Sequence, residues 1–116
     1  MELDDLTFTA LVYGCPGTIL VAFGLPALRS CREVTQSLVR VADAFRGQAL
    51  VHHVEVAAQP SIARLCKIET LPTVLVFRDG AELGRLVGAR PDHHYHLALA
   101  SALEAPAGAE LIGAAT

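Results

Sequence analysis

The sequence predicts an α/β fold: a mixed central sheet of about four to five strands, a βαβ unit followed by a ββα unit, flanked by helices. Three observations carry this. Apolar, partly β-branched runs stand at Thr18 to Phe23, Ala49 to Val56 and Thr73 to Phe77, with the length and composition of strands buried in a sheet. The first two are separated by a long stretch of helical period, as a parallel crossover requires. Arg78-Asp79-Gly80 is a hairpin signal that turns the third run back antiparallel into Glu82 to Val87.

In chain order, Leu6 to Tyr13 places Leu6, Ala10, Val12 and Tyr13 behind a capping Asp4 and stops at Gly14-Cys15-Pro16-Gly17, which predicts a first short helix. Thr18 to Phe23 is bounded by glycines and predicts a central strand. From Arg29 to Phe45, Val34, Leu38, Val41, Ala42 and Phe45 recur at three- and four-residue steps, with Arg32, Glu33, Gln36, Arg40 and Asp43 opposite and Gly47 beyond. That is a long amphipathic helix with a glycine stop. Gln59-Pro60-Ser61 opens a brief helix to about Lys67, since proline suits the first helical turn. A last helix runs from about Pro91 to Leu103 with Tyr95, Leu99 and Leu103 on one face. The expected domain is 1–104, followed by a flexible tail, 105–116, of Ala, Gly and Pro with little to pack.

Composition narrows the function. With 116 residues a single domain buries roughly two-thirds of its unfolded surface. Nine basic and twelve acidic residues give a net charge of −3, and no basic cluster could neutralise several phosphates, which excludes nucleic acid. Apolar residues reach 53% but in runs far below the roughly 20 needed to span a bilayer, so no membrane partner is expected. The acidic start Met1-Glu2-Leu3-Asp4-Asp5 is unlike an export signal, and a cytoplasmic location is the expectation. Three widely spaced cysteines, Cys15, Cys31 and Cys66, suit reduced thiols better than a disulfide framework.

Four segments together resemble the thioredoxin family over the chain up to residue 104: Leu20-Val21-Ala22-Phe23 with the following Pro26, Cys31 and Arg32; Leu71-Pro72-Thr73; Phe77-Arg78-Asp79-Gly80; and Gly84 to Gly88-Ala89. The resemblance implies a thioredoxin fold whose opening strand is cut back to Met1 to Leu3. It also implies a cis Leu71-Pro72 bond that turns the Leu71 backbone outward, toward the loop from Ala27 to Cys31. There it could pair with an extended peptide as an added strand, in a groove completed by Val87-Gly88-Ala89.

The chemistry departs from the family. Disulfide exchange needs a thiolate at a helix N-terminus and a second thiol to release the mixed disulfide. Leu28 holds the attacking position without a sulfur, and Cys31 matches the shielded resolving thiol. Ala22 replaces the family's buried aspartate, Ala27 the aromatic before the first cysteine, and Gly24 the strand-end tryptophan. The leading expectation is therefore a redox-inactive protein- or peptide-binding module, serving chaperone or assembly roles, whose partner site is Leu25, Ala27, Leu28, Arg29, Thr70, Leu71, Pro72 and Gly88. The alternative is an atypical thiol-disulfide oxidoreductase in which Cys31 is catalytic, alone or with Cys66, its thiolate favoured by Arg29 and Arg32. A homodimer that buries the Leu28 region or links through Cys15 stays open. No cofactor is expected. No metal is expected either: His93, His94 and His96 lack a completing ligand set and read as a solvated face. His52 and His53 alternate across a strand, so one faces inward, as a neutral histidine sharing a core hydrogen bond.

Overall fold

In a computed structural model of the chain, residues 2–104 are described; the expected tail lies outside them. Asp4 starts α1 (Asp5–Phe8) through a reciprocal cap: its carboxylate accepts from the Leu6 and Thr7 amides at 3.0 and 2.9 Å, and the Thr7 hydroxyl accepts from the Asp4 amide at 2.9 Å. Such a pair of bonds satisfies donors that a helix start otherwise leaves open. The expected helix reaches Tyr13, but its winding changes after one turn. Residues Thr9–Tyr13 wind as a wider π-helical turn, closed by the Gly14 amide donating to the Thr9 carbonyl at 2.9 Å. That turn sets the Tyr13 ring edge-on between Phe8 and Phe77, with centroids at 5.3 and 5.8 Å.

The rest follows the predicted order: β1 (Thr18–Gly24), α2 (Arg29–Ala44), β2 (Ala49–Glu55), α3 (Pro60–Leu65), β3 (Thr73–Arg78), β4 (Ala81–Val87) and α4 (Asp92–Glu104). The sheet runs β2-β1-β3-β4, with β1 parallel to β2 and antiparallel to β3, and β3 antiparallel to β4. It is the four-strand form of the predicted mixed sheet, and β1 is interior and buried on both faces. The turn at Asp79-Gly80 takes positive φ at both residues, 50° and 84°, as a tight hairpin demands. A Cβ on Gly80 would lie 2.3 Å from the Tyr13 carbonyl oxygen, so no other residue fits there without displacing the backbone beside it.

Because side chains alternate along a strand, β1 feeds two cores. Leu20 and Ala22 join Val34, Leu38, Val74, Val76, Tyr95 and Leu99 beneath α2 and α4. Ile19, Val21 and Phe23 join Leu3, Phe8, Val54, Ile62, Cys66 and Leu75 beneath α1 and α3. The N-terminal segment contributes one bridge, Glu2 to His53, with the Leu3 amide donating to the His53 carbonyl at 2.8 Å.

His52 is the inward histidine, on the α1 and α3 side, and the expectation of a core hydrogen bond is corrected. Both ring nitrogens are buried without a partner among the described residues, because the apolar cluster around them offers none. Burial, with a smaller effect of the chain's terminal ammonium, lowers its pKa from the ordinary value. The folded state thus binds a proton at His52 more weakly than the unfolded chain does. The stability contributed by neutral His52 is full above the unfolded value of about 6.5 and is lost as pH falls through the folded value. We expect the urea midpoint to drop between pH 7.5 and pH 5, and to drop less in a His52→Leu variant. Equal drops in the two proteins would remove His52 as the cause.

Candidate functional site

The site is built at the C-terminal end of β1 and the N-terminal end of β3, which lie side by side in the antiparallel pair. After Gly24 the chain leaves the sheet, the Leu28 amide donates to the Leu25 carbonyl at 3.0 Å, and Leu28 takes extended angles (φ −85°, ψ 125°) as the N-cap of α2. Leu28 supplies no side-chain cap, since its aliphatic group has no acceptor. It stands 40% exposed instead, with Ala27 and Pro26 exposed beside it and Leu25 half-buried. Arg29 turns away to pair with Glu33 at 3.1 Å, one helical turn on, and both side chains are well exposed, which makes the pair worth little.

Cys31 lies one turn into α2 and is 5% exposed, against the backbone of Gly24. A Cβ at Gly24 would meet its sulfur at 2.9 Å, so the close approach depends on glycine. The arginines expected to favour a Cys31 thiolate are otherwise engaged: Arg29 with Glu33, and Arg32 through a 2.8 Å bond to the Pro26 carbonyl. All three cysteines are free. Cys66 packs in the apolar cluster on the opposite face of the sheet from α2, so the structure does not bring it to Cys31. Its thiol pKa is raised, chiefly by burial.

Across from this loop, the Leu71-Pro72 peptide bond is cis. The Thr73 hydroxyl donates to the Thr70 carbonyl at 2.5 Å, and the Pro72 carbonyl accepts from the Gly88 amide at 2.8 Å. Pro72 is buried, Leu71 half-buried and Thr70 exposed. Among the described residues the Leu71 backbone makes no hydrogen bond. Gly88 has a φ of 82°, and a Cβ built there meets nothing within 4 Å, so the space above it is open.

The histidine group at α4 is accounted for by local contacts: the His93 and His94 rings meet edge-on at 4.6 Å, and His96 tilts against Phe45 at 4.8 Å. Asp92 accepts from Arg40 at 2.6 and 3.0 Å. The guanidinium, with a smaller contribution from the Ser37 hydroxyl, holds the carboxyl at about 2.

One feature escaped sequence reasoning. A cavity of about 380 Å³ opens behind the loop, between α2 and the β1–β2 pair, lined by residues that include Ala22, Gly24, Cys31, Thr35, His53 and Glu55. Ala22 and Gly24, small residues at alternate positions of one strand, point to it only once the register with β2 is known.

A βαβ–ββα domain with a helix N-terminus facing a cis proline across a shallow groove is the thioredoxin class of protein. The family model for thioredoxin matches residues 1–101. The chain is 32% identical over 89 residues to Thioredoxin 1 of Synechococcus elongatus, covering 77% of this chain and 83% of that protein. It is 33% identical over 92 residues to the thioredoxin of Mycolicibacterium smegmatis, covering 78% and 82%. It also matches the bifunctional thioredoxin reductase/thioredoxin of Mycobacterium leprae, 30% identical over 90 residues, but spans 20% of that longer protein. Among solved structures, chloroplastic thioredoxin z superposes with a TM-score of 0.80 over 90% of this chain and 94% of that one, at 20% identity, a likeness of fold. The chain belongs to the thioredoxin family. No helix among the described residues is long and apolar enough to cross a membrane.

Proposed function

We propose that this chain is a redox-inactive thioredoxin that binds an extended protein or peptide segment, in a chaperone or assembly role, through the groove between Leu28 and Gly88. The observation that carries this reading is Leu28 itself. An exposed aliphatic side chain stands at the N-cap where disulfide exchange needs a thiolate. An apolar group so placed gains from burial against a partner. The unpaired Leu71 backbone offers one donor and one acceptor to an incoming strand, and the open space over Gly88 lets that strand approach. The oxidoreductase reading draws little support from the surroundings of Cys31: its sulfur is buried, Arg29 and Arg32 are engaged elsewhere, and Cys66 packs on the far face.

Insulin B chain with alkylated thiols provides an extended, apolar probe that cannot react. Titrated into the labelled protein, it is expected to shift the backbone amides of Leu28, Leu71 and Gly88 in heteronuclear NMR spectra. Leu28→Asp is expected to weaken that binding about tenfold or more, the loss of one buried aliphatic side chain, while leaving the melting temperature nearly unchanged. Shifts confined to other surfaces, or an equal loss of binding and stability in Leu28→Asp, would count against the groove.

A further inference from the structure

The cavity behind the loop and the peptide groove share a border. Leu25, Pro26 and Pro72 line the cavity of about 380 Å³ at its loop end, and Leu25 and Pro72 are also groove residues. Farther in, Ala22 of β1 and Val34 of α2 face the same space, and both are buried in the core beneath α2. The room comes from Ala22: Leu20, two residues earlier on the same face of the strand, fills its place in that core, and Ala22 does not. Gly24 adds no room, because a Cβ there would meet the Cys31 sulfur at 2.9 Å.

The polar groups of the lining carry no common sign. Glu2 and Glu55 are carboxylates and Arg32 is a guanidinium, while the Gln36 amide and the His53 ring each donate and accept. The His53 pKa is lowered, mainly by burial, so the ring is neutral at pH 7. Such a mixture favours no net charge and leaves the apolar interior to choose the occupant. Arg32 adds a preference among apolar groups. Its Nη1 donates to the Pro26 carbonyl at 2.8 Å, which holds the guanidinium at the cavity wall, and a guanidinium attracts the face of an aromatic ring.

We propose that the cavity is a side-chain subsite of the peptide groove: a segment paired along Leu71 sends one bulky aromatic side chain past Leu25 and Pro72, over Ala22 and beside Arg32. The inference rests on the groove reading above and gives it a substrate class, extended segments that carry an exposed phenylalanine, tyrosine or tryptophan. Backbone pairing at Leu71 and an apolar contact at Leu28 do not distinguish such segments from others. The subsite does.

The probe is a short blocked peptide of serine, threonine and valine with one variable central residue, titrated into the labelled full-length protein. Every version is expected to shift the Leu71 and Gly88 amides, and the phenylalanine version to shift Ala22, Thr35 and His53 as well. Phenylalanine should bind at least about tenfold tighter than alanine, as burial of one large apolar side chain allows. It should bind about threefold tighter than cyclohexylalanine, which has similar bulk without the π face. Lysine and glutamate should bind no tighter than alanine. Ala22→Leu fills the space from the sheet, and Thr35→Phe fills it from an exposed position on α2; in each, the ratio of phenylalanine to alanine affinity should fall towards one. Groove shifts with phenylalanine no tighter than alanine or cyclohexylalanine, a preference for lysine or glutamate, or an unchanged ratio in either folded variant would overturn the subsite and leave the groove standing. No shift at Leu71 and Gly88 with any version would instead overturn the groove reading, and the subsite with it.

Discussion

Leu28→Cys is expected to give the chain a disulfide reductase activity well above that of the wild type. In dithiothreitol-driven reduction of insulin, the wild type should match the protein-free control, and Leu28→Cys should exceed it by at least about tenfold, because a thiol at the N-cap gains thiolate character and a neighbour to resolve against. Residues 28 and 31 lie one helical turn apart at the start of α2, so the new sulfur faces Cys31. The double variant Leu28→Cys/Cys31→Ser should fall back toward the control, since the mixed disulfide then has no intramolecular release. The redox-inactive reading expects no such route in the wild type, where Cys31 is buried and Cys66 lies in the cluster beneath α1 and α3. Activity in the wild type that disappears with Cys31→Ser alone would make Cys31 a working thiol and remove the redox-inactive reading.

Tyr95→Ala is expected to cost about 3–5 kcal/mol, the range for deleting a fully buried aromatic side chain. That is a large share of the roughly 5–15 kcal/mol that holds a domain folded. Tyr95 is wholly buried in the core beneath α2 and α4, and its hydroxyl accepts from the Arg90 amide at 3.2 Å. Truncation leaves a cavity and removes the hydroxyl that accepts from the Arg90 amide. Leu97, two residues on and 60% exposed, is the control: Leu97→Ala should change the unfolding free energy from urea titration by no more than about 0.5 kcal/mol. Equal costs at the two positions would mean that α4 does not seal the core as described.

The fold was legible because its signals are local and redundant. Three strands are apolar runs, the fourth follows a hairpin turn at Asp79-Gly80, and α2 carries a clean helical stripe, so the element order followed without knowledge of long-range contacts. Misreadings occurred where local pattern is degenerate. Leu6 to Tyr13 has helical spacing whether it winds with α or π periodicity, and only the bond from Gly14 to Thr9 decides between them. In β2, apolar residues occupy both faces at Leu50 and Val51, so alternation could not say which of His52 and His53 turns inward. Leu28 and Cys31 were readable as site positions because a strand-to-helix turn fixes them by counting. The cavity was not, because it depends on the partners of β1: Ala22 opposite His53 and Gly24 opposite Glu55 become a space only once the parallel register is known.

The single bridge from Glu2 to His53 distinguishes one edge of the sheet from the other, where β4 has no described outer partner. β1 and β3 are bonded along both sides, whereas the described pairing on the outer side of β2 is that one bridge. Local opening begins where few bonds must break, so amide exchange should be quick along the two edge strands, β2 and β4, and approach the global unfolding limit only in β1 and β3. The cavity shares its wall with β2, and anything that enters it joins β2 to α2 and slows that first opening. An occupant would be recorded as protection of β2, an edge strand that contributes no residue to the groove where a peptide would be held.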